Sequence, residues 1–278
     1  MGWASYNEDI VSRWAAGNDI HSRPPGVMQP RSTTANTAGR TGKSPAMHGE
    51  GSAPSEPDMN KLKEFTATTA RPLPVIILAD TSGSMSESGK IGALNTALID
   101  MIEAFGEEEQ GRAEIHVAII AFGGTAQVHQ ELAPASKIAL QPLGAKGVTP
   151  LGGAFDIARE LMEDRQKVPS RAYTPALVLV SDGQPNDMWE MALARLLESD
   201  RAKKAQRFAL GIGEDADAAV LRRFLANPEG KVYGAADARE IKNFFRWVTM
   251  SVTARSRSTT PNASAVEDFP PSDLDELL

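Results

Sequence analysis

The sequence predicts an α/β protein: a doubly wound, mostly parallel six-stranded sheet with one antiparallel edge strand and helices on both faces. Short, near-continuous apolar runs recur between Leu73 and Tyr233, and stretches of helical period separate most of them. Strands that are apolar on both sides need cover on both sides, which the crossover helices of a parallel sheet supply. One pair of runs, Ile115–Phe122 and Ala126–Leu132, is joined only by the turn Gly123-Gly124-Thr125, too short for a crossover, so that pair is antiparallel.

The elements follow in order. Leu73–Ala79 is the first strand. A helix follows with Ile91, Leu94, Leu98, Ile102 and Phe105 on one face, stopped by Gly106. Ile115–Phe122 and the edge strand Ala126–Leu132, ended by Pro134, come next. A loop holding Pro142 and Gly144 leads to a helix over Leu151–Asp164. Ala176–Val180 is a strand, and the spacing predicts a helix over Met188–Ala205, with Met188, Trp189 and Met191 packed against the body. Arg201, Lys203, Lys204 and Arg207 then fall at that helix's end, where cations suit the dipole. Arg207–Ile212, a helix around Ala218–Leu225, a short strand Lys231–Tyr233 and a helix Ala238–Ala254 complete the domain, set at residues 72–254.

The flanks differ in composition. Residues 1–22 hold a short amphipathic helix with Trp3, Tyr6, Ile10 and Trp14 on one face. Residues 23–71 are rich in Pro, Gly, Ser and Thr, cannot bury enough surface to offset their ordering entropy, and are expected to be disordered linker. Residues 255–278 are expected to form a disordered acidic tail, with Phe269, Leu274 and Leu277 among its carboxylates.

Net charge is −7, divided as +1 over 1–71, −5 over 72–254 and −3 over 255–278. No basic face invites nucleic acid. There is no cysteine, hence no disulfide or thiolate chemistry. Charged residues interrupt the first 20 positions, and no apolar run approaches the roughly 20 residues that span a bilayer. A cytoplasmic protein without membrane contact is expected.

The chemistry concentrates on three turns. Asp80-Thr81-Ser82-Gly83-Ser84 leaves the first strand, Gly147-Val148-Thr149-Pro150 opens a helix, and Ser181-Asp182-Gly183 leaves the Ala176–Val180 strand. In doubly wound sheets, ligands bind outside the carboxyl ends of the strands, so all three turns share one rim. Asp80, Ser82, Ser84, Thr149 and Asp182 offer hard oxygens with no activating base beside them, which suits Mg²⁺ or Mn²⁺. Each also has a plainer role. Ser82 and Ser84 are common turn residues. Thr149 before Pro150 makes an N-cap, and Asp182-Gly183 ends a strand. Asp187, three before Glu190, fits a capping box rather than a ligand. His21, His48, His116 and His129 lie away from these turns, and Gly211-x-Gly213 lacks the third glycine of a dinucleotide loop.

Asp80-x-Ser82-x-Ser84, Thr149 within Gly-Val-Thr-Pro-Leu-Gly, and Asp182-Gly183 after an apolar strand resemble the metal-ion-dependent adhesion site of von Willebrand factor A domains. The segments Ser181–Asp187 and Ala209–Asp217 look most like the bacterial, tellurium-resistance-associated TerY-like subgroup. The resemblance implies that Asp80, Ser82, Ser84, Thr149 and Asp182 are the metal-site positions. It further implies kinase-like or phosphatase-like partners, or an AAA+ ATPase, within a stress-response or defence system.

The leading expectation is a non-enzymatic scaffold module that binds a partner carboxylate through the metal. The alternative is a metal-dependent phosphohydrolase or phosphotransferase, which commonly needs a second acid two residues after the first and a lysine near the phosphate. Ser82 stands at that second position, and Lys90 is the nearby lysine. The flanks are then candidate docking peptides, and the tail carboxylates a candidate ligand for the metal of a neighbouring copy.

Overall fold

The computed structural model describes residues 70–108 and 111–263. Six strands form one sheet in the order β3-β2-β1-β4-β5-β6. They are β1 Arg71–Asp80, β2 Ala113–Gly123, β3 Thr125–Pro134, β4 Ala176–Ser181, β5 Gln206–Ile212 and β6 Val232–Ala235. All neighbours run parallel except β2 and β3, as the short glycine turn requires. Pro72 and Pro74 precede the point where β4 joins β1, at Val75 opposite Ala176. The missing N–H groups therefore interrupt no bond between those two strands.

Alternation along the strands divides the core. Val75, Ile77 and Ala79 of β1 face one layer, packed with Leu94, Leu98 and Phe105 of α1 (Lys90–Gly106) and Phe244, Val248 and Val252 of α5 (Ala238–Arg257). Ile76 and Leu78 face the other. Their neighbours come from α2 (Leu151–Glu163), α3 (Trp189–Glu198) and α4 (Ala218–Leu225), including Phe155, Leu193 and Phe224. Buried apolar area of this extent on both faces is the main source of stability.

Three expectations about elements need correction. The helix expected to run to Ala205 stops at Glu198. The Ser199 hydroxyl bonds the Glu163 carboxylate and accepts from the Ala202 amide, giving the chain an alternative to another helical turn. Consequently the basic cluster does not cap a helix. Arg201 donates to the Val168 and Pro169 carbonyls, Arg207 to the Ala202 carbonyl, and Lys203 pairs with Asp200. Met188 and Met191 face outward, at 73% and 53% exposed, while Trp189 packs under the Arg223 guanidinium at 4.6 Å.

The final helix also runs past 254. Arg255 is 3% exposed and donates to the Pro261 carbonyl, the Gln206 side chain and the Thr174 carbonyl. Burial lowers its pKa to about 10. Residues 255–263 are thus packed against the amino ends of the strands instead of belonging to a tail. The expected helix in 1–22, most of the linker and residues 264–278 lie outside the described residues. Among the described residues, no helix is long and apolar enough to cross a membrane.

Candidate metal centre

β1 and β4 lie side by side at the point where the strand order reverses, with Ala79 opposite Val180. Asp80 and Ser181, the last residues of these strands, therefore meet at the carboxyl edge. The Ser181 hydroxyl donates to Asp80 Oδ2 at 2.7 Å, and the Ser82 amide donates to Asp80 Oδ1 at 2.8 Å. Beyond Ser82, which is extended at φ −66° and ψ 169°, the chain turns into a 3-10 segment, Gly83–Gly89. That turn brings the Ser82 and Ser84 hydroxyls to 3.1 Å from each other. Ser84 Oγ donates to Asp182 Oδ1 at 2.8 Å, and Lys90 Nζ occupies Asp182 Oδ2 at 2.8 Å. Four of the five sequence-derived positions thus share one hydrogen-bonded cluster.

Thr149 arrives differently. Its loop is sewn to the other turns by backbone bonds. Gly83 N–H donates to Gly147 O at 2.9 Å, Lys146 N–H to Thr81 O at 2.7 Å, and Gly124 N–H to Val148 O at 2.8 Å. Two glycines make this approach possible. A Cβ on Gly123 would lie 2.0 Å from the Thr81 carbonyl oxygen; one on Gly147, where φ is +71°, would lie 2.6 Å from Gly124 Cα. Thr149 is buried, and its hydroxyl takes no part in the cluster of Asp80, Ser82, Ser84 and Asp182.

Nor does Thr149 cap α2. Pro150 occupies the cap position, without a side-chain cap bond. The first amides of α2 are held by Asp187 instead, at 2.9 Å from Gly152 N and 3.1 Å from Gly153 N. This corrects both capping expectations: Asp187 serves the N-terminus of α2 from a distant loop. The Thr149 hydroxyl therefore has no capping duty.

Electrostatically the centre is demanding. Asp80 and Asp182 are both fully buried. Burial raises the Asp80 pKa above its usual value; hydrogen bonds from Ser181 and Ser82 oppose that rise, and the Asp182 charge adds to it. Among the described residues, no three His, Asp or Glu side chains cluster as a metal site would need if built from those types alone. The donors here are two carboxylates and hydroxyls, all hard oxygens, and this set fits a magnesium-like ion. Asp80, Ser82, Ser84, Thr149 and Asp182 are the residues that would hold it. Beside them lies an open groove of about 550 Å³, lined by Gly183, Gln184, Glu214, Asp215 and Asp217. Val148 and Met188 stand exposed on the loops that carry Thr149 and Asp187.

Sequence reasoning gave three participants another role or none. Ser181 was visible beside Asp182 at the end of an apolar strand. Lys90 was read only as the lysine that the phosphoryl-transfer alternative would need, not as a partner of Asp182. Asp187 gave no signal of its partner, because the amides it holds belong to another helix.

Comparison with known proteins bears on the family and the fold. The von Willebrand factor type A domain profile matches residues 75–247. Comparison with curated protein sequences gives no significant match. Among solved structures, the fold is similar to a von Willebrand factor type A protein from Catenulispora acidiphila (TM-score 0.50, 21% identity, 66% of this chain and 42% of that one). It is also similar to proximal thread matrix protein 1 of the mussel byssus (TM-score 0.52, 14% identity, 66% and 48%). A third is the pilus adhesin SpaC of Lactobacillus rhamnosus GG in an open conformation (TM-score 0.53, 16% identity, 68% and 31%). This chain spans less than half the length of each. At these identities the likeness is one of fold.

Proposed function

The chain belongs to the von Willebrand factor type A domain family, and from that premise we propose that the rim of Asp80, Ser82, Ser84, Thr149 and Asp182 takes up Mg²⁺ or Mn²⁺ and through it binds a carboxylate of a partner protein. One observation carries the reading: the hydrogen-bonded run from Ser181 through Asp80, Ser82 and Ser84 to Asp182, which gathers hard oxygens from two loops at the sheet's switch point. When bound, the cation supplies a Lewis-acidic position suited to an anionic oxygen. The exposed Val148 and Met188 side chains nearby offer contacts that select the partner.

The same geometry supports a binding module in preference to an enzyme. Among the described residues, no hydroxyl of the rim is hydrogen-bonded to a histidine. His116 pairs with Glu114, and His129 bonds the Gln141 carbonyl. Lys90, which a phosphoryl-transfer site would need for its substrate, is committed to Asp182. Within this reading the protein is a cytoplasmic scaffold of a TerY-like stress-response or defence system, with kinase-like, phosphatase-like or AAA+ partners. The sequence of Ser181–Asp187 and Ala209–Asp217 supports that placement.

The test is affinity capture from the native host with the full chain, in Mg²⁺ and in EDTA, beside Asp80→Ala. Partners retained only by the metal-loaded wild type are expected. Capture that ignores both EDTA and the substitution overturns the proposal.

A further inference from the structure

Lys90 is the first residue of α1, and the first turn of that helix holds no acid. A cation there opposes the positive end of the helix dipole, so its position needs another cause. That cause is Asp182. The Lys90 ammonium lies 2.8 Å from Asp182 Oδ2, with side-chain exposures of 16% and 0%. The end of its side chain passes beside the turn after β5: a Cβ on Gly213 would lie 3.7 Å from Nζ and 3.8 Å from Cε. The lysine therefore reaches from α1 across the rim to the second carboxylate of the candidate metal centre.

We propose that Lys90 is the third charge of this centre, with two consequences of opposite sign. The inference rests on the reading of the rim as a metal site. Without metal, Lys90 neutralises a fully buried carboxylate that would otherwise be stranded. It thereby competes for an oxygen the metal needs, and lowers metal affinity. With metal, the charges of Asp80, Asp182 and Lys90 sum to −1, so a dication brings the loaded centre to +1. One anionic oxygen from a partner restores neutrality. Lacking Lys90, the two carboxylates alone balance a dication, and a neutral ligand such as water would compete on better terms. Lys90 thus sets the preference for acidic partners, at the expense of metal affinity. A purely structural lysine would not separate these effects, because its loss would weaken both.

The experiment uses the full chain, with Mn²⁺ as the metal and acetate as the anionic probe. Calorimetry reads Mn²⁺ affinity, and water-proton relaxation of the Mn²⁺-loaded protein reads acetate binding. Lys90→Met is expected to bind Mn²⁺ about tenfold tighter and acetate about tenfold more weakly, the scale of one partly buried charge pair. Lys90→Arg, which keeps the charge, should stay within about threefold of wild type in both. Lys90→Gln keeps a donor for Asp182 without the charge and should follow Lys90→Met; it also serves where the methionine variant does not fold. Unchanged or weaker Mn²⁺ binding in both uncharged variants, or unchanged acetate binding, overturns the role of Lys90 and leaves the metal site standing. No Mn²⁺ uptake by wild type or any variant overturns the metal site, and this inference with it.

Discussion

The Asp187 carboxylate accepts the Gly152 amide at 2.9 Å, although 35 residues separate the two in the chain. Through that bond the loop after β4 closes the N-terminus of α2 and releases Thr149 from capping. Replacing Asp187 with Ala strips two amides of their acceptor and should cost about 1–2 kcal/mol. For a domain of this size, that lowers the melting temperature by roughly 2–8 °C. The adjacent Asn186 amide donates to the Thr149 carbonyl at 3.1 Å, so loosening this loop should also displace Thr149 and lower Mn²⁺ affinity, although no proposed ligand has changed. Calorimetry on Asp187→Ala checks both. A melting shift with unaltered Mn²⁺ affinity would mean that Thr149 does not depend on this cap.

Asp80 is placed for a metal and held at a cost without one. Its folded-state pKa lies above the usual aspartate value of 3.8. The native state therefore keeps its proton to higher pH than the unfolded chain does. Stability from this group is present below pH 3.8 and is lost as pH rises through the folded value. Asp80→Asn removes that loss. The amide can still accept from the Ser82 N–H and donate to the Ser181 hydroxyl. In EDTA near pH 7 the variant should melt a few degrees above wild type, as gains of about 1 kcal/mol do. The gap should close as pH falls toward 4. Mn²⁺ binding should disappear. A variant that melts lower than wild type at neutral pH would show that the two hydrogen bonds outweigh burial of the charge.

Gly123 allows the β2–β3 turn to rest on the backbone of the Asp80–Ser84 turn. A methyl group there would meet Thr81 O at 2.0 Å, and backbone cannot yield as a flexible side chain does. Gly123→Ala should cost about 3 kcal/mol, at the upper end of overpacking penalties. It should also weaken Mn²⁺ binding more than Gly124→Ala. Gly124 has φ of +72°, but a Cβ there meets nothing closer than 3.9 Å. Urea unfolding gives the stabilities and calorimetry the affinities. Equal Mn²⁺ losses in the two variants would mean that backbone strain, rather than contact between the turns, controls the site.

What the sequence disclosed depends on the range of the interaction. The strands were legible because their burial is written in consecutive residues, as in β1, where all but Arg71 are buried. Asp80, Ser82 and Ser84 were legible for the same reason, being spaced along one turn. The end of α3 was misread because Ala202 and Ala205, both buried, prolong the apolar pattern past Ser199, where the backbone leaves the helix. Contacts between distant residues left no local trace. Lys90 and Asp182 lie 92 residues apart, and Ser181 and Asp80 lie 101 apart. Nothing in the neighbourhood of either member announces its partner, because only the strand order brings them together.

The carboxyl boundary of the domain follows from the same contrast. Residues after Ala254 read as polar, yet Arg255 threads its guanidinium between Thr174, Gln206 and the Pro261 carbonyl. Asn262 in turn accepts from the Thr174 amide at 2.9 Å. These bonds pin the start of β4 and β5 from below, opposite the metal rim. Truncation after residue 254 would leave the Thr174 and Gln206 groups without their partner, and Arg255→Ala alone would do much the same. Each should cost about 2–4 kcal/mol, since partly buried acceptors would lose a charged donor. Truncation after residue 263 keeps every one of these contacts and should leave the urea midpoint within the scatter of the full chain. Equal midpoints for the two truncations would show that the segment rides on the domain without supporting it, and that the boundary belongs at 254.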